Sequence, residues 1–273
     1  MPGSVGDLFC IHWPAPRPRM EGPVEAVLVL PAFAEEMNKC RRMTTLLAQA
    51  AQARGVHAFS VDLTGTGDSS GEFRDATVER WSADLAAAAD WLQRQRVDTL
   101  HVVAVRGGAL LLNDLALPAS LARGSLVLWQ PITSGRQLVS QFLRLRNAEA
   151  MVSGGPAESR DPRRVLQEDG FIEVAGYDLT LPLVEGLERL ALPSSLLRNW
   201  NRSCWIEIAA GAADGVQRPA PTPAAARIVA GMKAEGIRVD LDAVEGEPFW
   251  ATPEIAVVPA LIDRSVACFG GTP

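Results

Sequence analysis

The stretch Leu100-His-Val-Val-Ala-Val-Arg-Gly-Gly-Ala-Leu110 predicts a buried strand, a sharp turn and the start of a helix. Arg106 takes the apex of this turn. A turn that packs strand and helix so closely needs small residues two positions before and two positions after its apex. Ala104 and Gly108 meet that need, whereas a register shifted by one residue puts Val105 where a small residue must sit. We therefore place Arg106 at the apex.

Apolar runs alternate with helical periods along the chain, which predicts an α/β fold: a mostly parallel sheet with helices on both faces. The predicted strands are residues 8–12, 24–30, 57–63, 100–105, 125–130, 204–210 and 237–244. The predicted helices are residues 38–54, 77–95, 107–117, 222–235 and 252–269. We expect the helix at 77–95 to pack one apolar stripe against the core.

The regular alternation breaks between residues 133 and 202, where an amphipathic run is followed by charged and then apolar stretches. This break predicts a core in two parts, residues 1–132 and 203–273. Residues 133–202 are expected to form a cap, or lid, inserted between two core strands. We find no internal repeat.

Composition limits the function classes. The 273 residues are 48% hydrophobic and 21% charged, as in ordinary globular proteins, and the net charge of −6 argues against general nucleic-acid binding. The sequence shows no signal-peptide pattern and no apolar run of membrane-spanning length, so we expect a cytoplasmic protein without an integral membrane segment. The four cysteines have no metal-ligand spacing, and we expect no metal and no cofactor. The sequence is compatible with a homo-oligomer.

A glycine-rich turn, Asp62-Leu-Thr-Gly-Thr-Gly-Asp-Ser-Ser-Gly71, follows the third predicted strand. It lacks the lysine and the following helix of a phosphate-binding loop. It resembles the D-x-x-G-x-G-x-S turn of the α/β-hydrolase fold. Together with the turn at Arg106, it identifies that fold as the expected architecture, with an inserted cap.

Further motifs resemble a narrower group, the exosortase A system-associated hydrolases of type 2, which occur with bacterial exopolysaccharide loci. The resemblance covers most of the chain. Its most specific pieces, besides the arginine turn, are Phe33-Ala-Glu-Glu-Met-Asn-Lys39, Leu128-Trp-Gln-Pro131, Gln141-Phe-Leu-Arg-Leu145, Glu173-Val-Ala-Gly-Tyr177 and Gly246-Glu-Pro-Phe-Trp250. The family's name implies hydrolase activity, by similarity of fold.

In this fold a catalytic triad takes its nucleophile from the turn, its acid from a loop after a later strand and its histidine from the loop after the last strand. Asp214 fits the position of the acid. The last loop, Glu245-Gly-Glu-Pro-Phe-Trp250, contains no histidine, and an arginine cannot act as the nucleophile. His12, His57 and His101 come too early in the chain to reach the apex. We therefore expect no Ser-His-Asp acyl transfer, and Asp214 alone is expected to be structural or ligand-binding.

Cys40 is the other candidate nucleophile. It lies among Lys39, Arg41 and Arg42 near the start of a helix that Asn38 could cap, and these cations and the helix dipole would lower its pKa. Against a catalytic role, no histidine is near in sequence, and a lone cysteine is commonly a small buried apolar residue.

Arg106 at a helix N-terminus also predicts an anion-binding geometry, because free N–H groups and a guanidinium fork favour carboxylate or phosphate. The candidate ligand-binding residues are Arg106, Gly107, Phe33, Ala34 and Glu247. The competing interpretation is an internal ion pair of Arg106 with Asp214, Glu245 or Glu247. The anion site and the internal ion pair can both exist if a ligand displaces the paired carboxylate from Arg106.

Two functions remain open. In the first, the protein binds a small acidic or acyl-bearing molecule linked to exopolysaccharide and exosortase systems, without triad catalysis. In the second, it is a hydrolase or acyltransferase of non-standard mechanism that acts on exopolysaccharide precursors through Cys40 or through a water activated by Asp214. The site lacks the parts of the triad, which favours the binding protein.

Overall fold

The central feature of the computed structural model is a seven-stranded sheet with the strand order β1-β3-β2-β4-β5-β8-β9. The structure describes residues 1–16, 22–152, 161–192, 194–210 and 219–269. The strands of this sheet are β1 (Cys10–Trp13), β2 (Glu25–Leu30), β3 (His57–Val61), β4 (Thr99–Val105), β5 (Ala122–Trp129), β8 (Arg202–Ala209) and β9 (Val239–Glu245). All seven predicted strands are confirmed.

The sheet is parallel except at one edge, where β1 pairs antiparallel with β3. Successive side chains of β2 pack on opposite faces of the sheet: Leu28 belongs to one apolar cluster and Val29 to a second. Trp81 packs in the first cluster and Leu47 in the second, each from a different helix. Helices therefore cover both faces, and the predicted α/β architecture of a mostly parallel sheet between helices is confirmed.

Eight α-helices and two 3₁₀ helices lie among the described residues. The α-helices are α1 (Glu35–Ala53), α2 (Val78–Arg94), α3 (Gly135–Val152), α4 (Pro162–Asp169), α5 (Leu181–Glu188), α6 (Ser194–Leu197), α7 (Pro223–Ala234) and α8 (Pro259–Val266), and the 3₁₀ helices are Phe73–Asp75 and Arg106–Asp114. No helix in the described ranges is long and apolar enough to cross a membrane.

The start of α1 corrects one expectation. The helix begins at Glu35, with Ala34 and not Asn38 at its N-cap. Glu35 and Glu36 thus lie in the first turn, where carboxylates interact favourably with the positive end of the helix dipole. The last helix, α8, is shorter than predicted. It begins only at Pro259.

The chain between β5 and β8 forms α3 to α6 and a two-stranded hairpin, β6 (Phe171–Val174) and β7 (Tyr177–Thr180). The hairpin was not predicted. Its turn places both Ala175 and Gly176 at positive φ, 52° and 80°, as a type I′ turn requires. Alanine is an unusual residue at such a position, so the sequence carries only half of the usual turn signal.

The turn at the end of β4 depends on close backbone approach. A Cβ atom added at Gly108 would lie 2.5 Å from the carbonyl oxygen of Pro31 and 2.6 Å from that of Leu30. Both obstacles are backbone atoms at the end of β2, which neighbours β4. The small residue expected two positions after Arg106 is thus required by the geometry.

We predict that Gly108→Ala lowers the free energy of unfolding by about 1–3 kcal/mol, because the added methyl group must push the β2 loop away. The matched control is Gly231→Ala in α7, where an added Cβ meets nothing within 4 Å. That control should be neutral or stabilising by about 0.4–1 kcal/mol. Urea unfolding measures both. Equal stabilities of the two variants would contradict the close approach at Gly108.

Candidate functional site

Three residues with strained backbones meet at the carboxyl ends of adjacent strands. Arg106 follows β4 with φ 52°, Gln130 follows β5 with φ 42°, and Ala34 lies in the loop after β2 with φ 49°. Positive φ is uncommon for residues other than glycine, and such strain concentrates at functional sites. The apex position predicted for Arg106 therefore coincides with a locally strained turn.

Arg106 forms an ion pair with Glu36. The distance from Nη2 to Oε1 is 3.0 Å, and Nε lies 3.3 Å from Oε1 and 3.4 Å from Oε2. The two side chains are only 13% and 22% exposed. Nη1 donates a further hydrogen bond to the carbonyl oxygen of Gln130, at 3.2 Å. A guanidinium this far from water needs such partners.

The identity of the partner corrects the sequence interpretation. Asp214, Glu245 and Glu247 were the partners considered for an internal ion pair of Arg106. Among the described residues, the carboxylate that pairs with Arg106 is that of Glu36, and not that of Glu245 or Glu247. The reason is topological: β2 neighbours β4, so the first turn of the helix that follows β2 lies beside the turn that follows β4. Asp214 lies outside the described residues.

Trp250 covers the guanidinium of Arg106. The ring centroid lies 4.6 Å from the guanidinium carbon, within the range of a cation–π interaction. Trp250 belongs to the loop after β9, the loop from which a triad histidine would come. An arginine and a tryptophan therefore meet where a hydrolase of this fold would hold its nucleophile and its base.

The three histidines lie at the other end of the sheet. His57 pairs in register with Ala26, and Ala26 pairs with Leu100, near the start of β4. His12 contacts His57, with 3.2 Å between Nε2 and Nδ1. His101 precedes Arg106 by five residues, roughly 16 Å of strand. No histidine can therefore act on a group at the apex.

A cavity of about 430 Å³ opens beside the ion pair. Its wall includes Phe33, Glu36, Lys39, Leu138, Phe142 and Trp250. Phe33 and Phe142 meet edge to face, with ring centroids 5.0 Å apart. We call this cavity the Trp250 pocket. Its walls are mainly apolar, and its charged groups lie on the first turns of α1.

The Trp250 pocket contains only part of the predicted ligand-binding set. Phe33 lines it. Arg106 does not line it directly, but its two partners Glu36 and Trp250 do. Ala34 and Gly107 line a smaller cavity of about 20 Å³ that Phe33 also borders. Glu247 is exposed and does not line the pocket, although Trp250, three residues later, does. Sequence reasoning missed Glu36 and Trp250. The pair Glu35-Glu36 directly after the β2 loop was the available signal.

Cys40 contradicts the expectation of a lowered pKa. The residue is 3% exposed and packs in the apolar cluster under α1. Burial raises the pKa of the thiol, Glu36 raises it further, and the charge of Arg106 opposes the rise only in part. The neighbouring Arg41 binds Asp62, at 2.9 Å. The thiol is therefore held in its neutral, weakly nucleophilic form.

Comparisons with known proteins support the fold. No family model matches the chain, and no curated protein sequence matches it. Solved structures are similar along nearly the whole chain. A hydrolase candidate from Agrobacterium vitis is 17% identical, with a TM-score of 0.59 over 96% of this chain and 93% of that one.

Two further solved structures are similar over nearly the whole chain. Est1E from Butyrivibrio proteoclasticus, solved with ferulic acid bound, is 13% identical, with a TM-score of 0.57 over 95% of this chain and 94% of that one. A serine hydrolase without a lid from Xanthomonas campestris is 17% identical, with a TM-score of 0.52 over 99% and 94%. At these identities the similarity establishes one thing about this chain: it adopts the α/β-hydrolase fold.

The ion pair predicts a pH dependence of stability. Burial raises the pKa of Glu36 above its ordinary value near 4.5, and Arg106 offsets that rise only in part. A raised pKa in the folded state means that stability is fully present below the unfolded-state pKa and falls as pH rises through the folded-state value. We predict that Glu36→Gln removes this fall.

Urea unfolding between about pH 4.5 and pH 7 tests the prediction. The stability of Glu36→Gln relative to the wild type should increase as pH rises. Glu35→Gln, one residue earlier and without a bond to Arg106, is the matched control. A stability difference between wild type and Glu36→Gln that stays constant with pH would contradict the raised pKa.

Proposed function

We propose that this protein binds a small carboxylate or acyl-bearing molecule in the Trp250 pocket, with Arg106 as the anion-binding group, and that it does not carry out Ser-His-Asp acyl transfer. The observation that carries the proposal is the guanidinium at the apex of the turn, held between Glu36 and Trp250. It occupies the place where the fold presents a reactive group to a substrate.

The arrangement can accept an anion because the contacts of Arg106 with the described residues use only some of its donors. A guanidinium carries five N–H groups in a planar fork. Among the described residues, Glu36 receives bonds from Nε and Nη2, and Gln130 receives one from Nη1. A ligand carboxylate can bind the remaining N–H groups or replace the carboxylate of Glu36, whose burial is already unfavourable.

The walls of the pocket suit an apolar body attached to the anion. Phe33, Leu138 and Phe142 offer aromatic and aliphatic surface beside the charged groups. A site of mainly apolar walls with a few placed polar groups is the usual form of a small-molecule pocket. The similar Est1E structure holds ferulic acid, which also joins a carboxyl group to an apolar body. Fatty acids and aromatic acids are therefore suitable probes.

We propose that residues 133–202 act as the cap of this pocket. Helix α3 supplies Leu138 and Phe142 to the wall, and the hairpin turn supplies Ala175. Leu183 and Leu187 of α5 are buried in the same apolar cluster as the core helix α2. The resemblance to the exosortase-associated family adds that the natural ligand belongs to exopolysaccharide synthesis in the cytoplasm.

A first test measures anion binding by thermal shift. Ferulate should raise the melting temperature of the wild type by an amount that grows with concentration, as mass action requires. Arg106→Ala should abolish the rise, and Arg106→Lys should weaken it, because an ammonium group cannot reproduce the bidentate fork. Each shift is measured against the ligand-free form of the same variant.

Two controls make this test specific. Arg74→Ala removes an arginine that also binds a carboxylate, Asp178, and also covers an aromatic ring, Phe171, but outside the pocket. Its ferulate shift should equal that of the wild type. The double variant Arg106→Ala/Glu36→Gln avoids an unpaired buried carboxylate. A ferulate shift that persists in the double variant would overturn the anion site.

A second test concerns the missing triad. We predict that serine-directed phosphonate probes leave the protein unlabelled, because the apex residue has no hydroxyl group and no histidine reaches it. Intact-mass measurement after incubation reads the result. An active serine esterase treated in parallel verifies the probe. Stoichiometric phosphonylation of a residue at the carboxyl end of β4 would refute this part of the proposal.

A further inference from the structure

Two cysteines meet at a site that the pocket does not use. Cys204 lies on β8, and Cys268 follows α8, 64 residues later in the chain. Their Sγ atoms are 2.7 Å apart. Cys204 is buried, whereas Cys268 is partly exposed. The spacing of the cysteines in the sequence gave no sign of this contact.

We propose that Cys204 and Cys268 are a reversible dithiol–disulfide modification site. A disulfide has an S–S distance of about 2.05 Å, so bond formation requires the two sulfur atoms to approach by less than 1 Å. A hydrogen bond ties the backbone at Cys268 to β5. Ser125 Oγ donates a hydrogen bond to the carbonyl oxygen of Cys268, at 2.5 Å.

The dithiol lies in a cavity of about 370 Å³, which gives a small oxidant a route to it. The lining includes Arg202, Cys204, Asp240, Asp242, Arg264 and Cys268. Arg202 pairs with Asp240 at 2.9 Å, and Arg264 pairs with Asp242. Two guanidinium groups, each paired with a carboxylate, thus border the sulfur atoms.

The two thiols have different roles. Either thiol can donate the hydrogen bond between the two sulfur atoms. When Cys204 donates it, the bond lowers the pKa of Cys268, and Arg202 and Arg264 lower it further, against the opposing effects of burial and of Asp240. The same donation, together with burial, raises the pKa of Cys204. Cys268 is the more exposed of the two thiols and is therefore the one that an oxidant reaches first, so it is the attacking thiolate. Cys204 is the resolving thiol.

The oxidant we name is a low-molecular-weight disulfide of the glutathione class. The Cys268 thiolate attacks one of its sulfur atoms and releases one thiolate, which takes up a proton. Cys204 then loses its proton and attacks Cys268, releasing the second small thiol. The protein loses two hydrogen atoms and is oxidised by two electrons, and the small disulfide is reduced to two thiols.

Oxidised glutathione and the full-length protein test this proposal. After incubation, the wild type should retain two of its four thiols and lose the mass of two hydrogen atoms, and peptide mapping should find Cys204 joined to Cys268. The melting temperature should rise by about 5 °C or more, because the bond closes a long loop of the unfolded chain. Dithiothreitol should restore the two lost thiols and return the melting temperature to its starting value.

The variants separate the two roles. Cys204→Ser should stop at a mixed disulfide on Cys268, one glutathione per chain, and Cys268→Ser should form no bond at Cys204. Cys10→Ser, which removes another partly exposed cysteine, should still form the internal disulfide. Retention of all four thiols in the wild type, or adducts confined to Cys10, would overturn the proposal. Neither outcome depends on ligand binding at Arg106.

Discussion

The contact between the Arg106 guanidinium and the Glu36 carboxylate is the interaction on which the site depends. It joins the turn after β4 to the first turn of α1, and it lies mostly out of water. A charge in such a place is unfavourable unless hydrogen-bonded partners surround it. Glu36 in the first turn of α1, the carbonyl of Gln130 after β5 and the ring of Trp250 after β9 provide that surrounding. The arrangement thus holds the carboxyl ends of β2, β4, β5 and β9 together.

The same contact explains why the site is suited to an anion. Positive φ values at Arg106, Gln130 and Ala34 show that the backbone is constrained at each of these strand ends. A constrained backbone fixes the direction of the guanidinium before any ligand arrives, and preorganisation of this kind lowers the cost of binding. Glu36 then acts as an internal carboxylate that occupies part of the fork and that an external carboxylate can replace.

Much of the fold could be predicted because its determinants are local. Buried parallel strands appear in the sequence as short apolar runs, and the small residues Ala104 and Gly108 indicate the turn at Arg106. Gly108 must be small because the backbone at the end of β2 leaves no room for a Cβ atom at this position. Composition and spacing were enough for these features.

The partners of Arg106 could not be predicted, because they depend on which strands become neighbours. The order β2-β4 brings Glu36 to the apex, whereas the sequence analysis had considered Glu245 and Glu247 of the last loop and not Glu36. Cys40 shows the same limit: its cationic neighbours in sequence suggested a lowered pKa, but its side chain faces the core. The contact of Cys204 with Cys268 is likewise set by packing across the sheet.

Calorimetric titration with a matched pair of ligands tests the central claim most directly. Ferulate and ferulic acid amide share one apolar body and differ in the carboxylate. If Arg106 binds the anion, the wild type should bind ferulate at least about tenfold more tightly than the amide, a difference of about 1.4 kcal/mol. Arg106→Ala/Glu36→Gln should bind the two ligands equally. Equal affinities in the wild type, or a preference for ferulate that survives in the double variant, would contradict the account.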